Sequence, residues 1–172
     1  MDHADFSVKL LFDEGLIKDF CSKEEWYPII KFAIANHNKF AIADCDDDRI
    51  LKHAKLIRDT DKLDILYLIG TLHELNIIPY DTDISEEVIN FFKKHISVKH
   101  QDVKTKNDFY SIKLAYPFDV NNDIVFEEKK KNLEPFQKAL EGNKKFECIL
   151  NESIKYIDKK INKMKKKEEI LC

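Results

Sequence analysis

Apolar residues recur at steps of three and four residues along nearly the whole chain, and this spacing constrains the fold more than any other feature. An α-helix turns every 3.6 residues, so such steps line up on one helix face, whereas a half-buried strand alternates with a period of two. Only three glycines and four prolines are available for the tight turns that join strands. The sequence therefore predicts an all-α protein.

The length and composition predict one globular domain over residues 1–172. A chain of 172 residues is long enough to bury a core, and its 44% hydrophobic and 35% charged residues exclude a disordered tail. No internal repeat and no linker long enough to separate domains is present. The chain is thus expected to fold around a single hydrophobic core.

The helix signals are most distinct at the ends of the predicted segments. A second helix, which carries Ile30, Ala33 and His37 on one stripe, begins either at a Ser22–Glu25 capping box or at Pro28. Gly142 is suited to capping a helix C-terminus, and Pro79 ends the first block. The other helices are predicted over residues 2–20, 49–75, 85–95, 107–116, 127–140 and 144–167.

Charge and cysteine content exclude several classes of protein. A net charge of −3 gives no basic face for nucleic acid, and the lysines of residues 159–167 are interpreted as a solvated helix end. No apolar run approaches the roughly 20 residues of a membrane span. The cysteines show no CxxC spacing and no signal peptide precedes them, which favours free thiols in the cytoplasm.

Asp61 is the residue in the predicted long helix that most needs an explanation. The apolar stripe Ile50, Ala54, Ile57, Ile65 and Leu68 includes Asp61 in its steps of three and four, which places this carboxylate on the buried face. A buried carboxylate needs a partner. It forms an ion pair with Arg58, or the helix phase differs and it is exposed, or it binds a metal.

Two histidines show the same pattern. His37 follows Ile30 and Ala33 on their stripe, and His3 lies one turn before Phe6. A single histidine on an apolar face is more often a hydrogen-bonded core residue than a metal ligand. The stripes nevertheless predict that His3, His37 and Asp61 converge around one cavity.

Three segments closely resemble the bacterial HD-domain metal-dependent phosphohydrolases. The first is Asn36-His37-Asn38-Lys39-Phe40, and the second and third are Leu51-Lys52-His53-Ala54-Lys55 and Ile57-Arg58-Asp59-Thr60-Asp61-Lys62-Leu63-Asp64. The opening residues 2–12 are similar to the segment that follows the family's His-Asp motif. The resemblance is specific over about residues 2–68 and looser over about 84–167, where residues 114–119 are similar to a helix of one subfamily.

The resemblance implies an HD-domain-like helical bundle and a divalent metal (Mn, Mg, Fe or Zn). That metal activates water against a phosphoester, commonly in a nucleotide. Asp61 matches the family's late metal ligand, and His3 and His37 match histidines that bind a second metal or the substrate phosphate. The remaining matched residues are expected to support these ligands, to contact substrate or to lie on the helix surface. They are Arg58, Asp59, Lys62 and Asp64.

The family's adjacent His-Asp pair has no counterpart among these residues, because none of the six histidines is followed by aspartate. The expectation is an HD-type domain that lacks its N-terminal helices, is incomplete or impaired in this form, and forms a homodimer or pairs with a complementing chain. The alternative is a non-catalytic helical binding module derived from such a domain.

Overall fold

The structure is a computed structural model that describes residues 2–71 and 83–171, with side chains as far as Lys167. Within these ranges the regular structure is α-helix with short 3₁₀ and π-helical turns, and no strand is present. The predicted all-α fold is confirmed.

Eight α-helices lie in the described ranges. They are α1 (His3–Val8), α2 (Ile17–Phe20), α3 (Tyr27–Asn36), α4 (Asp48–Thr71), α5 (Glu86–Lys93), α6 (Lys106–Leu114), α7 (Phe126–Ala139) and α8 (Lys144–Leu171). The predicted C-terminal end of α4 near Leu75 and the break at Pro79 lie outside the described residues.

The N-terminal segment differs from the single helix that the sequence predicts over residues 2–20. After α1 the backbone widens into a π-helical turn, Lys9–Asp13, and Gly15 then adopts a φ of +83° before α2 begins. Glycine takes such a conformation without a steric penalty because it has no Cβ. The second predicted helix begins at Tyr27 with Pro28 in its first turn, as in the second of the two alternatives.

The chain divides into two compact units, residues 1–61 and 62–172, with the boundary inside α4. In the first unit α1 packs against α3. Its buried apolar residues are few and mostly small: Ala4, Ile17, Ile29, Ala33 and Ala54. Polar contacts therefore have a large share in fixing its geometry.

The second unit has a larger apolar core, in which α5, α6 and α7 each pack against α8. Buried members of this core include Leu66, Val88, Phe92, Leu133, Phe136, Phe146, Ile149 and Ile157. The buried Asp108 completes a capping box with Thr105 at the start of α6. Its carboxylate also accepts from the backbone N–H groups of Ser85 (2.8 Å), Lys104 (3.0 Å) and Thr105 (3.1 Å).

The buried face of α4 corrects the predicted stripe. Ile57 and Leu68 are 43% and 41% exposed, and Asp61 is half-buried rather than buried. The buried positions are Ala54, Arg58, Asp59, Lys62 and Leu66. The buried face is therefore shifted by one residue from the predicted one. The charged groups that α4 buries have polar partners, and a pattern of apolar residues cannot reveal such partners.

Candidate functional site

His3 and His37 come together although 34 positions separate them. His3 is the first residue of α1, and His37 is the C-cap residue of α3. The two Nε2 atoms lie 2.9 Å apart, and the ring centroids are 4.9 Å apart with the rings inclined at 66°. The packing of α1 on α3 thus forms an imidazole pair.

The two histidines are more exposed than the apolar stripes around them in the sequence predict. The side chain of His3 is 72% exposed, and His37 is half-buried. Phe6, whose position suggested an inward-facing stripe, is itself 49% exposed. A solute can therefore reach the imidazoles from solvent.

The hydrogen bonds of His37 assign its tautomer. Its Nδ1 lies 2.6 Å from the carbonyl oxygen of Ile34, which only accepts, so Nδ1 carries the proton. The Nε2 of His37 then holds a lone pair and accepts from the Nε2–H of His3. A side-chain hydrogen bond to a backbone carbonyl is the arrangement that orients metal-binding histidines in proteins.

Two carboxylates and a lysine form an ion-pair cluster at the start of α1. Asp2 caps α1 by accepting from the backbone N–H of Ala4 (2.9 Å), and it also accepts from the side-chain amide of Asn38. The ammonium of Lys39 donates to Asp2 (2.8 Å) and to Asp5 (3.0 Å). These contacts join the start of α1 to the end of α3.

The ion pairs shift the titration of their members. The hydrogen bond from Lys39, followed by those from Ala4 and Asn38, holds the pKa of the Asp2 carboxyl well below its ordinary value. The hydrogen bonds to Asp2 and then Asp5 raise the pKa of Lys39. Both groups therefore stay charged near neutral pH.

The turn that carries His37 is held from within the first unit by Asn36 and Arg58. The buried Asn36 amide donates to the carbonyl of Phe32 and accepts from the backbone N–H of Ala43, each at 2.9 Å. The Arg58 guanidinium donates to the carbonyls of Asn36 and Phe40 and to that of Lys39. The sequence pattern indicated an ion pair or a substrate contact for Arg58 and gave no sign of these backbone contacts.

The other predicted site residues have different surroundings. Asp59 is fully buried and Asp64 is exposed. Lys62 is buried, its ammonium forms an ion pair with Asp119, and it lies 5.6 Å from the ring centroid of Tyr116. Lys62 is therefore held by structural contacts within the second unit, which the sequence pattern alone did not indicate.

The described residues hold no complete metal site. No group of three or more histidine, cysteine, aspartate or glutamate side chains in the described ranges is arranged to hold a metal, and Asp61 does not join His3 and His37 in one. Two nitrogens about 3 Å apart, each about 2.1 Å from one ion, subtend roughly 90°, the angle between neighbouring ligands of a six-coordinate ion. The Nε2–Nε2 distance of 2.9 Å in the histidine pair is compatible with that angle.

Binding both nitrogens to one ion requires one proton to move. His3 must carry its proton on Nδ1, which faces Asp2 Oδ1 at 3.7 Å, so that its Nε2 is free to bind. The negative charge of Asp2 favours that tautomer, whereas the side-chain N–H of Asn38, 3.5 Å from the same Nδ1, favours the Nε2–H tautomer. The imidazole–imidazole hydrogen bond and the binding of both Nε2 atoms to one ion thus require different tautomers of His3.

Comparison with protein-family models, curated proteins and solved structures finds no match to this chain. Among the described residues, no helix combines the length and the apolar character that crossing a membrane requires.

Proposed function

We propose that this chain is part of an HD-type metal-dependent phosphohydrolase that acts on a nucleotide or another phosphoester. The observation that carries the proposal is the meeting of His3 and His37, Nε2 to Nε2, at 2.9 Å. The carbonyl that fixes the second nitrogen of His37 adds to it, since metal-binding histidines are usually oriented in this way. Both histidines lie in the segments that resemble the family.

In the proposed enzyme His3 and His37 bind the divalent metal or a phosphate oxygen at an open site. A bound metal lowers the pKa of its water to about 7 and polarises the phosphoryl group. Lys39 keeps its charge beside the pair, but Asp2 and Asp5 neutralise it. Its proposed role is consequently to hold Asp2 and thereby the start of α1, rather than to bind the phosphate.

The proposed enzyme is incomplete as the chain stands, because hydrolysis needs more ligands than this pair supplies. Loss of groups that support a ligand costs about 10–100-fold in metal affinity or activity, and missing ligands cost more. We expect little turnover of nucleotides or p-nitrophenyl phosphate with added Mn²⁺ or Mg²⁺. Fusion to a segment that carries an early His and a His-Asp pair should raise turnover by orders of magnitude.

Metal binding by the chain itself tests the proposal. Calorimetric titration with Mn²⁺ should show weak binding that His37→Ala abolishes. The matched control is His100→Ala, which removes an exposed histidine of the second unit and should leave the titration unchanged. Absence of binding in the wild-type chain, or equal loss in both variants, would contradict a metal site at the pair. In the fused protein, where the resemblance assigns Asp61 as a ligand of the completed metal site, Asp61→Ala should abolish turnover, and activity insensitive to this substitution would show that the site is wrong.

The second candidate is a non-catalytic helical module that binds a protein or a small ligand. It is favoured by the large apolar side chains that the first unit leaves exposed: Phe6, Leu16, Phe20, Phe40, Leu56 and Ile57. Exposed apolar area of this kind often marks interaction surfaces. A chain that binds no Mn²⁺ and self-associates in analytical ultracentrifugation would favour this candidate over the enzyme.

A further inference from the structure

Arg58 is a buried cation whose charge is directed at the C-terminal end of α3. Arg58 lies on α4 within the first unit, and the whole residue is only 2% exposed. Three backbone carbonyls accept from its guanidinium: Asn36 at 3.3 Å, Phe40 at 2.6 Å, and Lys39. All three belong to one short segment, 36–40.

This contact answers a requirement of helix ends. The last four carbonyls of a helix have no partner within it, and they carry the negative end of the helix dipole. A planar guanidinium has five N–H donors in a rigid fork, so Arg58 can donate to the Asn36 carbonyl at the end of α3 and also to the Lys39 and Phe40 carbonyls of the turn that follows. Burial of the cation is tolerated because its donors are used.

The carbonyls that accept from Arg58 belong to residues before and after His37 in the sequence. Asn36 precedes His37, and Lys39 and Phe40 follow it, with Asn38 between. When the backbone is fixed on both sides, the direction of the His37 side chain is fixed as well. The side chain of Asn36 reaches Phe32 and Ala43 but not the carbonyls of 39 and 40.

We propose that Arg58 is the positioning residue of the imidazole pair: it holds the 36–40 turn so that His37 Nε2 meets His3 Nε2. The inference concerns the pair alone, and only its consequence for catalysis rests on the proposed function. Arg58 thereby connects α4 to the turn that carries His37 through backbone carbonyls.

Nitrogen-15 NMR of the histidine rings in the full chain tests this proposal. At about pH 8, where an ordinary imidazole is neutral, wild-type His37 should show the Nδ1–H tautomer with a hydrogen-bonded Nε2. Arg58→Lys keeps a cation but loses the fork, and Arg58→Ala loses both. Both variants should lose the fixed tautomer and give averaged ring signals, and ethylguanidinium should recover the wild-type signals in Arg58→Ala but ethylammonium should not.

The matched control separates positioning from lost stability. Ile29→Ala truncates a buried residue of α3, 5% exposed, without touching the turn. It should lower stability and leave the His37 signals unchanged. The proposal is overturned if Arg58→Lys keeps the pair intact or if Ile29→Ala disturbs it equally; Arg58→Lys decides the matter if Arg58→Ala does not fold.

The same samples distinguish this inference from the proposed function. Loss of the pair in the Arg58 variants, with no Mn²⁺ binding in the wild-type chain, supports the positioning role and contradicts the metal site. An intact pair in Arg58→Lys contradicts the positioning role whether or not Mn²⁺ binds.

Discussion

Replacement of Asn36 by alanine removes a buried polar link beside the imidazole pair. The Asn36 amide is 6% exposed and makes two hydrogen bonds of 2.9 Å, one to the Phe32 carbonyl and one from the Ala43 N–H. Alanine is a better helix former than asparagine, so a loss of stability cannot arise from helix propensity. The substitution therefore isolates the tertiary role of the side chain.

The expected loss follows from these two contacts. A hydrogen bond contributes about 1 kcal/mol net, and a buried donor left without a partner costs about 1–3 kcal/mol. The Ala43 N–H is only partly buried, so water offsets some of that cost. We expect Asn36→Ala to lower the free energy of unfolding by about 2 kcal/mol. This loss is large because the first unit has few buried apolar residues to stabilise it.

The single tryptophan gives a local assay. Trp26 directly precedes α3 in the first unit and lies under the guanidinium of Arg49, 4.3 Å from its ring centroid. Urea titration followed by Trp26 fluorescence should show a lower midpoint for Asn36→Ala and an unchanged midpoint for Lys52→Ala, an exposed position on α4. A loss below about 0.5 kcal/mol, the range of ordinary surface substitutions, would refute the reasoning.

Two further predictions concern charge. The folded pKa of Asp2 lies below its ordinary value, so its contribution to stability is present above about pH 4 and is lost as pH falls through the folded value. As the pH is lowered below about 4, the midpoint temperature of thermal unfolding of the wild type should therefore approach that of Lys39→Met. A difference in midpoint that stays constant at all pH values would contradict this. Asp108→Ala should cost at least about 3 kcal/mol in guanidinium titration, because hydrogen bonds to a charged group contribute about 1.5–3 kcal/mol each. Its exposed counterpart, Asp123→Ala, should cost little, and equal losses would show that the Asp108 contacts contribute nothing.

The sequence predicted the helices of the second unit closely. The predicted pair 127–140 and 144–167 corresponds to α7 and α8, and Gly142 between them has the positive φ, +88°, that a turn after a helix often requires. Ser85 caps α5 by accepting from the backbone N–H of Val88, as its place before two glutamates indicated. These features depend on neighbouring residues, and local patterns in the sequence record them.

The sequence was less successful along α4, where charged groups are buried. Apolar periodicity placed Asp61 on the inner face of α4, but Arg58 and Lys62 are buried there instead. Each of these cations has partners from distant parts of the chain, carbonyls of residues 36–40 for Arg58 and Asp119 for Lys62. The metal-ligand role of Asp61, His3 and His37 stays a prediction.

The sequence by itself determined the all-α class and most helix positions, because these depend on spacing along one chain. Only the tertiary structure decided which face of α4 is buried and that His3 and His37 meet Nε2 to Nε2. Helix phase is set by the total free energy of burial, and a charged side chain can be buried when a distant segment satisfies all of its polar groups. That satisfaction is a property of the folded arrangement, which no local pattern contains.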